Sequence, residues 1–332
     1  MKSMNGTRLI IDTDLGFDCD DAGALAVANL FQNSSALQIV SVTHSVNKQI
    51  GGRAVKAINE YYGNPDIPIG IAERYAIDVD YFFDEFYAKF EPADNFSGWK
   101  EKPSFYKLLK ALRIERHNQD VVFPTAREVI VKTLMESPTH GTTFLCIGQA
   151  NNLADMMDET RIPGQSFSYR ELLLEKTDKI VMMCGNFSDY GEKYLCGDLY
   201  WKGEFNILLD VKSAQRVFNL SEVPIYVLDF NQGSEVLTGK GLKGQEKNPV
   251  YQMYRAFRGD SLVSSSWDVL ALLYASGKYT ELFDCSKCGK VQIDNNGKST
   301  FQVGKGNHYL IALNRPSHVY EEIIDNFYEQ YR

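Results

Sequence analysis

The chain of 332 residues is long enough for one large α/β domain or for two smaller domains. Hydrophobic residues make up 44% of it and charged residues 23%, which are globular values and exclude collagen-like, disordered and low-complexity chains. The formal net charge of −8, without a dense lysine or arginine cluster, argues against binding to nucleic acid.

Short apolar runs alternate with helical patterns along the chain. In chain order, strands are predicted at 9–11, 37–42, 67–71, 142–147, 179–183 and 224–228, and helices at 22–31, 54–62, 126–135 and 152–157. A β-hairpin is predicted from 291–294 and 299–303, and an amphipathic helix over 319–331. This alternation indicates right-handed βαβ units, and therefore one α/β domain over residues 1–332 with a mostly parallel sheet between helices.

The stretch 78–106 interrupts the alternation with many aromatic side chains among acidic residues and lysines. It is interpreted either as an insertion that buries its own aromatic residues or as a lid over a pocket. No apolar run approaches the ~20 residues that span a bilayer, and the start of the chain lacks a signal-peptide pattern. Cys285 and Cys288 form a single CxxC without a second pair, which does not favour zinc. A cytoplasmic protein without a membrane partner is expected.

Five aspartates follow the first predicted strand within ten residues and precede the first predicted helix. They are Asp12, Asp14, Asp18, Asp20 and Asp21. Ligands bind at the carboxyl ends of strands in an open α/β sheet. Capping of the helix explains one or two of these acids, whereas five ionised carboxylates repel one another unless a cation is bound. Oxygen ligands alone suit a hard ion, Ca²⁺ or Mg²⁺.

Two known acidic patterns fit this stretch poorly. An EF-hand loop requires glycine and glutamate where this chain has Phe17 and Gly23, and it follows a helix rather than a strand. A haloacid-dehalogenase-type phosphatase begins with a strand and an Asp-x-Asp pair, which Asp12 and Asp14 satisfy. That pattern leaves the other three aspartates unexplained.

The stretch resembles the opening motif of the nucleoside hydrolase family, of the inosine-uridine preferring type. The family has Asp-x-Asp-x-Gly and then an Asp-Asp pair before an alanine-rich helix, and the longer form with an extra aspartate is similar to this sequence. Other segments match in the same order, from about residue 8 to residue 275. They are Asn47 after the second strand, Ile147 to Ala154 after the fourth, Asn186, Glu204-Phe205-Asn206, and Trp267-Asp268.

The resemblance implies the nucleoside hydrolase fold, which is Rossmann-like, and a Ca²⁺ site. It implies Asp14, Asp21, Asp268 and the backbone carbonyl of Ile147 as metal ligands, with Asp14 also the catalytic base. Asp12 and Asp18 are expected to support these ligands. The implied substrate-binding residues are Asp20, Asn47, Asn186, Glu204, Asn206 and Trp267.

The function implied is calcium-dependent hydrolysis of the N-glycosidic bond of a ribonucleoside to ribose and free base. The resemblance also implies a small-molecule partner, a role in purine or pyrimidine salvage and a homo-oligomer, either a dimer or a tetramer. Trp267 stands where the family has a histidine that is a candidate leaving-group acid, so this chain either stacks the base on Trp267 or buries that ring in its core. Two other functions stay open: a metal-dependent nucleoside or sugar-binding protein without turnover, and a phosphatase with Asp12 as nucleophile.

Overall fold

The computed structural model describes residues 6–74, 105–112, 120–187 and 203–330. Ten of its strands form one sheet, and a separate two-stranded ribbon lies beside it. The strands are β1 (Thr7–Thr13), β2 (Leu37–His44), β3 (Ile69–Ile71), β4 (Thr142–Cys146), β5 (Thr177–Met183), β6 (Ile225–Leu228), β7 (Leu237–Thr238), β8 (Ser264–Ser265), β9 (Phe283–Cys285), β10 (Gly289–Ile293), β11 (Ser299–Val303) and β12 (His308–Leu313).

Helices connect most of these strands. They are α1 (Asp20–Asn33), α2 (Gln49–Tyr61), α3 (Phe105–Ala111), α4 (Ala126–Met135), α5 (Asn151–Asp155), α6 (Tyr169–Lys176), α7 (Phe205–Leu209), α8 (Val211–Leu220), α9 (Phe230–Ser234), α10 (Pro249–Arg258), α11 (Trp267–Ala275) and α12 (Ser317–Glu329). None of the helices in the described ranges is both long enough and apolar enough to span a membrane.

The large sheet is parallel over most of its width. Its order is β11-β10-β12-β6-β5-β4-β1-β2-β3, and every neighbouring pair from β12 to β3 is parallel. β10 and β9 both pair with β12 in the antiparallel sense, and β11 continues from β10. The chain order reverses between β1 and β4, and a crevice at the carboxyl ends of the strands forms at such a point.

Helices cover both faces of the sheet, so the strands are apolar on both sides. Leu9 and Ile11 of β1 point into the core beneath α1 and α11, whereas Ile10 points into the core beneath α4 and α5. The α/β class predicted from the alternation of strands and helices is therefore confirmed, including the C-terminal hairpin of β10 and β11 and the helix α12.

The observed bounds of helices and strands agree with the predicted bounds where the sequence has a strong local signal, such as a helix cap. α4 has the predicted bounds because Thr125 and Glu128 form a reciprocal capping box at its start. β3 is shorter than predicted and begins after Pro68, which has no N–H for a ladder. Of the aromatic-rich stretch 78–106, all but the last two residues lie outside the described ranges, and those two begin α3.

Candidate active site

Asp12 lies at the end of β1 and joins three neighbouring parallel strands. Its Oδ1 accepts hydrogen bonds from Thr43 Oγ1 of β2 at 2.7 Å and from Asn152 Nδ2, which follows β4, at 2.8 Å. Burial raises the pKa of this carboxyl group to about 7, and the two hydrogen bonds oppose that rise. The other oxygen, Oδ2, is buried and has no hydrogen-bond partner in the described part of the chain. Asp12 thus links the ends of β1 and β2 and the segment after β4 through hydrogen bonds.

Asp14 occupies the crevice where the chain leaves β1. The loop after β4 lies against it, because a Cβ added at Gly148 would be 2.7 Å from the backbone nitrogen of Asp14. Oδ2 of Asp14 is buried and unpartnered within the described ranges. Burial, followed by the negative charges of Asp18 and Glu204, raises the pKa of Asp14 well above its usual value. This oxygen is therefore free to accept a proton or to bind a cation.

Three carboxylates converge beside Asp14. Asp18 of the loop, Asp21 of α1 and Asp268 of α11 each place one oxygen within 4.8 Å of the others. Burial and then repulsion between neighbouring carboxylates raise the pKa of Asp21 and of Asp268 well above the usual range. Two of the predicted metal ligands, Asp21 and Asp268, thus meet across 247 residues of sequence; Asp18, predicted only to support them, completes the group.

Asp20 is engaged differently from its neighbours. Its Oδ2 accepts hydrogen bonds from the backbone N–H groups of Trp267, at 2.8 Å, and of Asp268, at 3.0 Å. These are the first two residues of α11. Asp20 was predicted to bind the sugar, and in the structure at least one of its oxygens is committed to the helix that carries Asp268.

The Glu204–Asn206 turn lies next to this group, at the end of β5. Oε2 of Glu204 accepts from the backbone N–H of Gly185 at 2.9 Å and of Ile207 at 3.3 Å, and Oε1 accepts from that of Asn206 at 2.9 Å. Burial raises the pKa of Glu204 to about 7 in spite of these bonds. Asn206 Nδ2 donates to the carbonyl oxygens of Met183, at 3.0 Å, and Ile147, at 3.4 Å. The carbonyl predicted to bind the metal is therefore held in place by Asn206.

The remaining predicted substrate residues have protein partners. Asn47 Nδ2 donates to the backbone carbonyl of Glu73 at 2.7 Å, and Asn186 Oδ1 accepts from Asn231 at 2.7 Å. Trp267 is half-buried, its ring stacks on Phe230 with centroids 5.3 Å apart, and its indole N–H donates to the Phe230 carbonyl at 2.7 Å. Its placement is intermediate between the two interpretations from the sequence, core residue and base-stacking surface.

Amides after β4 complete the crevice and were missed from the sequence. The side-chain amide nitrogens of Gln149 and Asn151 both donate to the backbone carbonyl of Ser45, which follows β2. Oε1 of Gln149 is buried without a partner in the described chain. The run Gln149-Ala150-Asn151-Asn152 was the available signal, because three amides in four residues after a buried strand are costly unless they are paired.

Aromatic rings cover the acidic loop on the side of α3. Phe17 of the loop contacts Phe105 with centroids 5.4 Å apart and Phe205 with centroids 5.3 Å apart. A side chain at Gly16, whose φ is +132°, would clash with the ring of Phe105 at 2.5 Å. His44 lies nearby with its two ring nitrogens 3.0 Å from backbone carbonyls, so it is a structural residue. These rings therefore pack against one side of the acidic loop.

Comparison with known proteins agrees with this geometry. No curated protein sequence is similar enough to this chain to count as a match. Among solved structures, an inosine-uridine preferring nucleoside hydrolase from Bacillus anthracis superposes with a TM-score of 0.66 at 15% identity, over 98% of this chain and 99% of that one. A plant nucleoside hydrolase, PpNRh1, gives 0.61 at 16% identity, over 98% of each chain.

A third similar structure is the type III effector protein XopQ complexed with adenosine diphosphate ribose. Its TM-score is 0.66 at 14% identity, over 98% of this chain and 94% of that one. At such identities these likenesses establish the fold. The family model of the inosine-uridine preferring nucleoside hydrolases matches residues 9–309 of this sequence, which include every carboxylate of the site. The chain therefore belongs to the inosine-uridine preferring nucleoside hydrolase family and is a hydrolase acting on N-glycosyl compounds.

Proposed function

We propose that this protein hydrolyses the N-glycosidic bond of a ribonucleoside to ribose and the free base, with Ca²⁺ as its metal ion. The observation that carries the proposal is the carboxylate group of Asp18, Asp21 and Asp268, of which the last two are buried, beside an unpartnered oxygen of Asp14. This group lies at the crevice between the ends of β1 and β4, where open α/β sheets bind ligands.

The donor set fits a hard divalent cation. Asp14, Asp21, Asp268 and the carbonyl oxygen of Ile147 are the proposed ligands, and Asp18 is a further carboxylate within reach. Every donor is an oxygen. Burial, and then repulsion between the carboxylates, raises the pKa values of the aspartates, and a divalent cation would offset that repulsion. Several carboxylates crowded together suit Ca²⁺, with its six to eight oxygen ligands, better than Mg²⁺, which keeps more of its waters.

Asp14 is the proposed general base. When bound, Ca²⁺ would supply a positive charge that lowers the pKa of a water molecule and orients sugar hydroxyls. The free Oδ2 of Asp14 accepts the proton of the attacking water. Burial makes this carboxylate a stronger proton acceptor than an exposed aspartate, because its pKa is raised.

The sugar is proposed to lie against Glu204 and Asn206. A carboxylate oxygen can accept two hydrogen bonds, so Oε1 of Glu204, with its single bond to Asn206 N, retains capacity for a hydroxyl. To bind substrate, Asn47 would give up its hydrogen bond to the Glu73 carbonyl, and Asn186 would give up its hydrogen bond from Asn231. The adenosine diphosphate ribose bound by XopQ carries ribosyl groups, which supports recognition of this sugar class on the same fold.

The nucleobase is proposed to leave without receiving a proton from Trp267. A tryptophan has no ionisable proton near neutral pH, and the indole N–H already donates to Phe230. The exposed part of the ring offers a stacking surface for the base. A substrate whose leaving group needs no proton, p-nitrophenyl riboside, should therefore be cleaved well relative to inosine.

The test is release of base from inosine, uridine and p-nitrophenyl riboside by the purified protein with Ca²⁺ and after chelation. Cleavage that depends on Ca²⁺ supports the proposal. Nucleoside binding without base release, measured by calorimetry, would select a binding protein instead. Hydrolysis of p-nitrophenyl phosphate with Mg²⁺ and no action on nucleosides would refute the proposal.

A further inference from the structure

Helix α11 starts without a cap of its own. Its N-cap residue is Ser266, whose side chain makes no capping hydrogen bond to the helix. The hydroxyl of Ser266 is instead paired with Thr238 Oγ1 at 2.6 Å. The first backbone N–H groups of a helix need acceptors, and a serine at the N-cap ordinarily supplies one.

Asp20 supplies that acceptor from a distant part of the sequence. Its Oδ2 accepts the N–H groups of Trp267 and Asp268, at 2.8 and 3.0 Å, over separations of 247 and 248 residues. A carboxylate at a helix N-terminus also interacts favourably with the helix dipole. The backbone of Asp268 is thereby fixed at the residue whose side chain joins the carboxylate group.

We propose that Asp20 is a positioning residue, which holds the first turn of α11 so that the Asp268 carboxylate meets Asp18 and Asp21. The inference rests on the proposed function for the presence of a bound metal. It also reassigns two acids of the loop: Asp18 faces the ion, and Asp20 acts through Asp268. The longer spacing of aspartates in this chain then has a physical purpose, since one loop supplies both a ligand and the cap for another ligand's helix.

The neighbours of the two acids agree with this division. Asp18 places one oxygen in the carboxylate group with Asp21 and Asp268, whereas Asp20 does not belong to that group. The oxygen of Asp20 that faces α11 already has two donors, which fills both of its lone pairs. Asp18 is therefore the better placed of the two for contact with an ion or a sugar.

The experiment measures Ca²⁺ affinity by calorimetry for the wild type and for Asp20→Ala, Asp20→Asn and Asp18→Asn. Asp20→Ala should lower the affinity roughly 10- to 100-fold, which is typical for loss of a residue that orients a ligand. Asp20→Asn keeps an acceptor oxygen and should recover most of that loss. Asp18→Asn removes the same charge from the same loop, and it should cost more than Asp20→Asn.

Two results would overturn the inference: wild-type affinity in Asp20→Ala, or a loss in Asp20→Asn as large as that in Asp18→Asn. If Asp20→Ala does not fold, hydrogen exchange decides. The Trp267 and Asp268 amides should be protected in the wild type, and free exchange at both would refute the positioning role. A wild type that binds no Ca²⁺ would contradict the proposed function, while the exchange measurement still judges the role of Asp20.

Discussion

The loop after β1 and the turn at Glu204 both bury carboxylates in the same crevice, but the hydrogen bonding of these carboxylates differs. Both oxygens of Glu204 accept backbone N–H groups, and the turn is complete by itself. At the end of β1 and in the loop that follows, an oxygen of Asp12 and an oxygen of Asp14 are buried without donors in the described chain. A buried polar atom without a partner costs about 1–3 kcal/mol.

The difference distinguishes a scaffold that the protein completes alone, and that also offers Glu204 Oε1 to the sugar, from a loop of carboxylates that repel one another. The Glu204 turn is held by the protein alone, and it fixes Asn206 and, through it, the carbonyl of Ile147. In the acidic loop, burial and then repulsion between neighbouring carboxylates raise the pKa values of Asp14 and Asp21. We therefore expect substitutions in the loop to act chiefly through charge, and substitutions in the turn to affect fold stability as well as the proposed sugar binding.

The largest effect is expected from Asp14→Asn. The substitution keeps the size of the side chain and removes the base, so turnover should fall at least ~10²-fold from the acid–base contribution alone. Its free energy of unfolding without metal should rise, because a buried carboxylate with a raised pKa is replaced by a neutral group. Steady-state kinetics and thermal unfolding measure the two effects. A rate close to the wild type would exclude Asp14 as the base.

Calcium should stabilise the fold through the loop. At a free concentration 100 times Kd, binding to the native state adds about 2.7 kcal/mol to the free energy of unfolding. Urea unfolding with and without Ca²⁺ measures this gain, and Asp268→Asn is the matched control in which it should shrink. An equal gain in the control would remove Asp268 from the site.

Glu204→Ala tests the turn. The substitution leaves three backbone N–H groups without their acceptor and removes the N-cap of α7, and we expect a loss of about 2 kcal/mol in unfolding free energy. Asp210→Ala removes the neighbouring cap of α8 and should cost about 1 kcal/mol. If both variants retained wild-type stability, the turn would not be the scaffold described above.

The pH dependence of the metal-free protein is the smallest expected effect. The pKa of Glu204 is about 7 in the fold against its ordinary value of 4.5. Between these values the folded chain holds more protons than the unfolded chain, so stability should fall as the pH rises, by up to about 1.4 kcal/mol per unit for this group. Chemical unfolding between pH 5 and 7 measures the slope, and Glu204→Gln should make it less steep because one of the contributing groups is removed. An unchanged slope in Glu204→Gln would contradict the assignment.

The sequence predicted the fold better than the roles of individual acids. Apolar runs and the capping pair of α4 define elements locally, and the resemblance brought Asp21 and Asp268 to one site. It assigned Asp20 to the sugar and Asp18 to a supporting role, but spacing within a loop does not fix the direction of either side chain. The bond that decides between them, from Trp267 N to Asp20, depends on the docking of α11.

That bond has a consequence for synthesis of the protein. The ribosome makes Asp20 some 247 residues before Trp267, the residue that donates to it. At about 5–20 residues per second, the acidic loop waits roughly 10–50 seconds before the helix that completes it exists. Calcium added to a nascent chain would therefore find an incomplete site until α11 emerges. The onset of Ca²⁺ affinity would then show that α11 has packed against the acidic loop after β1.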